Sequence, residues 1–273
     1  MYRQRFGFTG HPLPKDARAK TFCTDLPGYR RLTGAFQQLL DERGLAVLTG
    51  DAGTGKTAAM RNLCQQLPSP YHRVLYLCDT AVSPLDLYRT LAIELGIVPS
   101  HRRGQLWTDI KKTLLHMVDE RGTLPVLVID EAHHLSDRFL VDLSGFLNFA
   151  FDSRDLLAVW LVGLSPLLRT LRMHQHAALA TRIGAHVHLE PLRRDDVAAF
   201  VEHGLKAAGA TTNLLSDPAR ELLFRASRGV PRVAAQLLRA ALREAHERDQ
   251  SFVDDQAMEH TVEHMAFAVA AVA

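Results

Sequence analysis

The chain has 273 residues, a hydrophobic fraction of 47%, and 32 basic against 30 acidic residues for a formal net charge of +2. That is enough chain and apolar surface for one large α/β domain plus a small one, and a charge this balanced does not point to nucleic acid, nor does it exclude a local basic stripe. Three scattered cysteines (Cys23, Cys64, Cys78) form neither a disulfide framework nor a zinc set, and the longest apolar run, Met265 to Ala273, is too short to cross a bilayer.

Residues 1–27 mix aromatic, basic and proline residues without periodicity, which predicts an extended lead-in with little regular structure. No secretion signal is read there, so a cytoplasmic protein without a membrane anchor is expected. Gly28 to about Gln38 has the spacing of a helix. Leu45 to Thr49 is the first core strand, and Thr57 to Leu67 a helix stopped by Pro68 and Pro70. Arg73 to Cys78 reads as a second strand. Ser83 and Pro84 open a helix to Leu95, and Gln105 to Glu120 forms another. Leu124 to Asp130 is a continuous apolar strand of the kind parallel sheets bury on both faces. A helix from Asp137 to Phe151 follows, then a strand from Leu156 to Val162, a helix from Ser165-Pro166 to about His174, and a short fifth strand, Val187 to Leu189. Beyond Pro191 the pattern is helical only: Asp195 to Ala208, Asp217 to Ser227, Pro231 to Arg248 and Asp254 to Ala270. Strands alternating with helices, then helices alone, predict a parallel α/β domain over residues 28–190, a helical lid over 191–250 and a C-terminal helix or tail over 251–273.

Between the first strand and its helix stands Gly50-Asp51-Ala52-Gly53-Thr54-Gly55-Lys56-Thr57, which fits G-x-x-x-x-G-K-[ST] without mismatch. Glycines let backbone N–H groups curl around a phosphate chain, and the following helix turns its positive end toward the same phosphates. Lys56 can reach the outer phosphates of ATP, and the Thr57 hydroxyl can ligate Mg²⁺. Asp130 and Glu131 end a buried strand, where open α/β sheets carry their chemistry. Behind a phosphate loop, Asp130 is expected to hold Mg²⁺ with Thr57, and Glu131 to polarise the attacking water. His133 and His134 read as a loop and a packing histidine. Ser165 is either a phosphate sensor or the N-cap before Pro166, the second being the simpler reading. Arg232, opening a lid helix, could fold over the γ-phosphate. Arg182 could serve a neighbouring subunit's ATP as an arginine finger, in competition with Arg169 and Arg172 and with plain solvation of each.

With these residues in place the chain resembles the AAA+ ATPases, and within them the ExeA/TnsC-like branch. The matching pieces are RFGFTGHPLPKD, GDAGTGKT, VLVIDEAHHL, LVGLSPLLRTL and SRGVPR, spanning about residues 5–245. The resemblance implies a P-loop AAA+ fold: a parallel five-stranded sheet flanked by helices, with a small C-terminal helical lid. It offers two roles. Secretion ATPases of the branch continue into a membrane span and a wall-binding domain, an extension this sequence is expected to lack. Stand-alone relatives similar to TnsC, MuB and IstB assemble with ATP on duplex DNA, as rings or filaments, and recruit a DDE transposase. The length favours the second role. An ATP-bound scaffold with little turnover is a third reading. The branch often carries a polar residue after the VG that closes the fourth strand, where this chain has Leu164.

On the DNA reading, Arg102 and Arg103 in a loop and Lys111 and Lys112 on the next helix would grip phosphates without sequence preference. Taken alone, those four residues read more readily as a solvated basic face.

Overall fold

The computed structural model describes residues 2–17 and 21–272. A one-turn helix α1 (Tyr2–Arg5) precedes α2 (Pro27–Glu42). Then come β1 (Gly44–Gly50), α3 (Lys56–Gln65), β2 (His72–Leu77), α4 (Pro84–Glu94), α5 (Arg103–Asp119), β3 (Leu124–Ile129), α6 (Asp137–Phe146), β4 (Ala158–Gly163), α7 (Pro166–Leu171), α8 (Ala177–Ala180) and β5 (Ile183–Leu189). The remaining helices are α9 (Arg194–Ala207), α10 (Asp217–Ser227), α11 (Pro231–Glu247), α12 (Asp255–His264) and α13 (Ala266–Ala270). The chain divides into two units: residues 30–50 with 63–189, and residues 1–29 with 51–62 and 190–273.

The first unit is built on a parallel sheet of order β2-β3-β4-β1-β5. The three inner strands are buried almost end to end, as their unbroken apolar runs require. Alternation along them feeds two faces. Leu45, Val47, Leu127, Ile129, Val159 and Leu161 pack with α4, α5, α6 and α7 in one core. On the opposite face Trp160 stacks on Phe36 of α2, with ring centroids 6.0 Å apart. The edge strands β2 and β5 are only partly buried, so their sequences alternate with polar residues.

The second unit gathers the helices α9 to α12 around Leu205, Leu223, Leu237, Leu238, Leu242 and Met258. Residues 2–13 hold a single turn of helix, yet they are part of this core. Tyr2, Phe6, Phe8 and Leu13 are all buried in it. The backbone N–H of Thr9 donates to the Ala208 carbonyl at 2.8 Å, and Arg239 donates to the Leu13 carbonyl at 2.6 Å. Gly204 of α9 makes room for Leu13, since a Cβ there would lie 2.3 Å from the leucine side chain.

Several elements depart from the periodicity. The fifth strand is seven residues, Ile183–Leu189, rather than three, because its hydrogen bonds to β1 hold backbone that Gly184, His186 and His188 make look loop-like. The helix expected to reach Phe151 stops at Phe146. Ala150, Phe151 and Asp152 all adopt left-handed backbone in a turn closed by the Phe149–Arg154 bridge. Lys111 caps that helix end from α5, donating to the Asn148 carbonyl at 2.8 Å and lying 4.7 Å from the Phe149 ring centroid. The helix expected to reach His174 ends at Leu171. The last expected helix is split at Met265 into α12 and α13.

The buried lead-in generates a prediction. Leu13→Ala should lower the unfolding free energy of the chain by about 3 kcal/mol, read as a lower denaturant midpoint, although a leader that merely trailed from the fold would tolerate the change.

Candidate nucleotide site

Parallel pairing places the C-terminal ends of all the strands on one edge of the sheet. In register, Thr49 of β1 lies beside Gly163 of β4, and Ile129 of β3 beside Leu161. The glycine-rich loop leaves the sheet from Gly50, and the Asp130-Glu131 pair follows Ile129. With strands about 4.8 Å apart, only β4 separates the two strand ends.

Within the loop the Asp51 carbonyl is the organising acceptor. It receives the Lys56 ammonium at 2.8 Å, the Thr54 hydroxyl at 2.9 Å and the Thr54 N–H at 3.3 Å. Gly53 and Gly55 have φ of +85° and +95°, conformations that a side chain would strain. Gly53 has a second reason to be glycine. A Cβ on it would lie 2.8 Å from Val230 and 3.1 Å from the Cβ of Arg232. The Arg232 N–H donates to the Gly53 carbonyl at 3.2 Å. The loop is thus joined to the first turn of α11, where Val230 is the N-cap and Pro231 the first helical residue. Upstream, Gly229 (φ +75°) packs so closely on Leu192 that a Cβ would meet its carbonyl oxygen at 2.0 Å. This is the physical content of the G-V-P-R run.

At the end of β3, Asp130 is buried and its carboxylate is held on both oxygens. Oδ2 accepts from the Tyr76 hydroxyl at 2.9 Å, and Oδ1 from the Glu131 N–H at 2.9 Å. Burial first, and then the Asp130 charge, push the Tyr76 phenol well above its ordinary range, so it stays a neutral donor. Glu131 has left-handed backbone, φ 51°, and its carbonyl accepts from the buried Thr80 hydroxyl at 2.8 Å. Sequence reasoning passed over Tyr76 and Thr80. Tyr76 sits at an outward position of an edge strand, and Thr80 in a loop, so neither carried a periodicity signal. His133 sends Nδ1 to the Leu164 N–H at 3.2 Å. Thr49, one residue before the loop, bonds Nε2 of His186 at 2.8 Å and Nδ1 of His188 at 3.0 Å. Its single hydroxyl proton goes to one ring while it accepts from the other. Burial, then the nearby His188 and Arg172, lower the His186 pKa.

Taken separately, each part has donor chemistry that suits ATP with Mg²⁺: the loop offers backbone N–H groups and the Lys56 ammonium for phosphates and a Thr57 hydroxyl oxygen, and the end of β3 offers the Asp130 carboxylate, both hard oxygens of the kind Mg²⁺ prefers. The remaining expected residues are dispersed. Arg232 is exposed on α11. Arg182 is ion-paired with Asp152 in the turn before β4. Arg169 and Arg172 are exposed on and just beyond α7. Ser165 stands at the N-cap position of α7, directly before Pro166 as the simpler reading expects, but its hydroxyl makes no capping bond. Arg102 and Lys112 are exposed. Arg103 pairs with Asp142 at 2.7 Å and lies over Trp107 at 4.7 Å. Lys111 is turned onto the aromatic residues at the α6 end, where burial lowers its pKa.

Residues 38–171 match the family model described as AAA domain. Over 234 residues, 85% of the chain, the sequence is 32% identical to general secretion pathway protein A of Aeromonas hydrophila, of which it spans 43%. Among solved structures, the ADP form of the Aeropyrum pernix ORC2 protein has a TM-score of 0.69 at 14% identity, covering 96% of this chain and 72% of that one. The Aeropyrum pernix ORC1 protein in complex with DNA has a TM-score of 0.66 at 18% identity, covering 87% of this chain and 64% of that one. At these identities the likeness is one of fold, and the fold is that of the AAA+ P-loop ATPases.

Gly53→Ala tests the junction of the loop with α11. We expect nucleotide affinity to fall by about tenfold or more, since about 1.4 kcal/mol of strain suffices for that factor, while unfolding of the chain stays cooperative; titration with a fluorescent ATP analogue reads it.

Proposed function

We propose that this chain, which carries an AAA+ nucleotide-binding domain, is an ATP-hydrolysing switch that assembles as a homo-oligomer on duplex DNA and regulates target choice by a DDE transposase. The observation that carries the switch is the bond from the Arg232 N–H to the Gly53 carbonyl. A change in the loop on binding phosphates reaches the first turn of α11 directly through that bond.

In this reading the Gly50–Thr57 N–H groups and Lys56 bind the phosphate chain. Thr57 and Asp130 would hold Mg²⁺, which when bound neutralises charge on the phosphate oxygens. The Tyr76 hydroxyl and the Glu131 N–H fix how the Asp130 carboxylate points. Glu131 takes the proton of the attacking water. Arg232 offsets negative charge at the terminal phosphate, and Arg182 acts in a neighbouring subunit once its pair with Asp152 opens.

On DNA, the exposed Arg102 and Lys112 are the phosphate contacts this reading relies on most, with Arg103 contributing through the exposed part of its side chain. An oligomer sums such contacts, so no protomer need be strongly basic. A protein of the same fold has been solved in complex with DNA, which supports this half. A second reading is favoured by the 32% identity to general secretion pathway protein A: the same ATPase serving secretion machinery without touching DNA.

Lys56→Ala should abolish nucleotide binding, whereas Glu131→Gln should bind ATP normally and turn it over about 100-fold more slowly or worse. Normal turnover in Glu131→Gln would remove the base assignment. Binding to a long random-sequence duplex should appear with a slowly hydrolysed ATP analogue, be absent with ADP, and weaken as salt rises. Indifference to DNA in every nucleotide state would discard the DNA half and favour the secretion reading.

A further inference from the structure

The histidine that follows the Asp-Glu pair has a geometry that fixes its proton. His133 lies in the short turn of 3₁₀ helix Ala132–His134, and its side chain is 9% exposed. Its Nδ1 accepts from the Leu164 backbone N–H at 3.2 Å, and its Nε2 is 3.6 Å from Oε2 of Glu131. A ring nitrogen that accepts carries no proton, so neutral His133 is the Nε2–H tautomer, and the nitrogen that carries the proton is the one 3.6 Å from the Glu131 carboxylate. The ring therefore spans from the carboxylate after β3 to the backbone after β4. The fold leaves little freedom for this arrangement: a Cβ on Gly163 would lie 3.1 Å from the His133 nitrogen and 3.2 Å from its Nδ1.

Glu131, His133 and His134 bring one ligand atom each to within 4.8 Å of one another, which raises the alternative of a metal cluster. The tautomer speaks against it. A metal on the Glu131 side of the ring needs an unprotonated Nε2, and the bond to Leu164 puts the proton there. Histidine ligands ordinarily donate, rather than accept, through their second nitrogen.

We propose that His133 is a positioning residue for Glu131: its Nε2–H steers the carboxylate, and its Nδ1 ties that orientation to the backbone at the end of β4. At 3.6 Å the contact is longer than a formed hydrogen bond. It orients the carboxylate without locking it, so Glu131 can leave the ring to meet a water. The left-handed backbone of Glu131, held by Thr80, presents the side chain to this ring. Leu164 contributes its backbone N–H, so an apolar side chain at that position does not break the link between β4 and the carboxylate. The inference rests on the reading of Glu131 as the base.

The test uses the full chain and compares single-turnover hydrolysis with binding of a slowly hydrolysed ATP analogue. His133→Ala should slow hydrolysis by about tenfold or more while analogue affinity stays within about twofold. His133→Gln, whose side-chain N–H reaches the place of Nε2, should recover part of the loss. In a Glu131→Gln background His133→Ala should cause no further fall, because it acts through the same carboxylate. An unchanged rate in His133→Ala, or a loss accounted for by weaker analogue binding, overturns the proposal. So does an equal fall in both backgrounds. Stoichiometric Zn²⁺ binding to the unaltered chain that His133→Ala abolishes overturns it in favour of a metal cluster. Normal hydrolysis in Glu131→Gln sinks the base assignment itself, whereas an inactive Glu131→Gln beside a fully active His133→Ala sinks only the role of His133.

Discussion

The parallel register of the three inner strands is the constraint on which the site depends. Because β1, β3 and β4 run the same way and pair without slip, Gly50, Asp130 and Leu164 all emerge on one edge of the sheet. A one-residue slip would turn each strand's faces over and exchange the two sets of buried side chains. The burial of these strands on both faces makes such a slip costly. Trp160 against Phe36 on one side, and Leu127, Val159 and Leu161 against the α4–α7 core on the other, hold the register from both directions.

Polar groups at that edge are under strict hydrogen-bond accounting. A carboxylate as buried as Asp130 is tolerated because both oxygens accept, one from a neutral phenol and one from a backbone N–H. Glu131 differs. Its backbone is held by Thr80 while its carboxylate is half exposed and lies beside a histidine of defined tautomer. A held carboxylate next to a freer one is what the proposed roles of Asp130 and Glu131 call for.

In the second unit the phosphate loop and α11 meet by backbone contact rather than by charge. Gly53 and Gly229 permit that contact because neither has a Cβ, and each touches a neighbour that a methyl group would overlap. The lead-in contributes in another way. Its four apolar side chains complete the core of α9 to α12, although they are joined to it across nearly two hundred residues of chain.

The sequence by itself determined the fold class, the order of strands and helices, and the phosphate loop, because each is written in local signals: apolar runs, helical spacing, and glycines at fixed offsets. It also marked Asp130 and Glu131, since a strand end is legible from the run before it. Only the tertiary structure decided which groups hold these residues. Tyr76 and Thr80 reach Asp130 and Glu131 from more than fifty positions away, and no periodicity encodes a pairing that depends on strand order. The same holds for Arg103 and Lys111. In sequence they belong to a basic run with Arg102 and Lys112, but in the fold they are turned onto Asp142 and a cluster of aromatic rings. The fifth strand was understated for a related reason: an edge strand draws its stability from backbone pairing with β1, which leaves its side chains free to be polar.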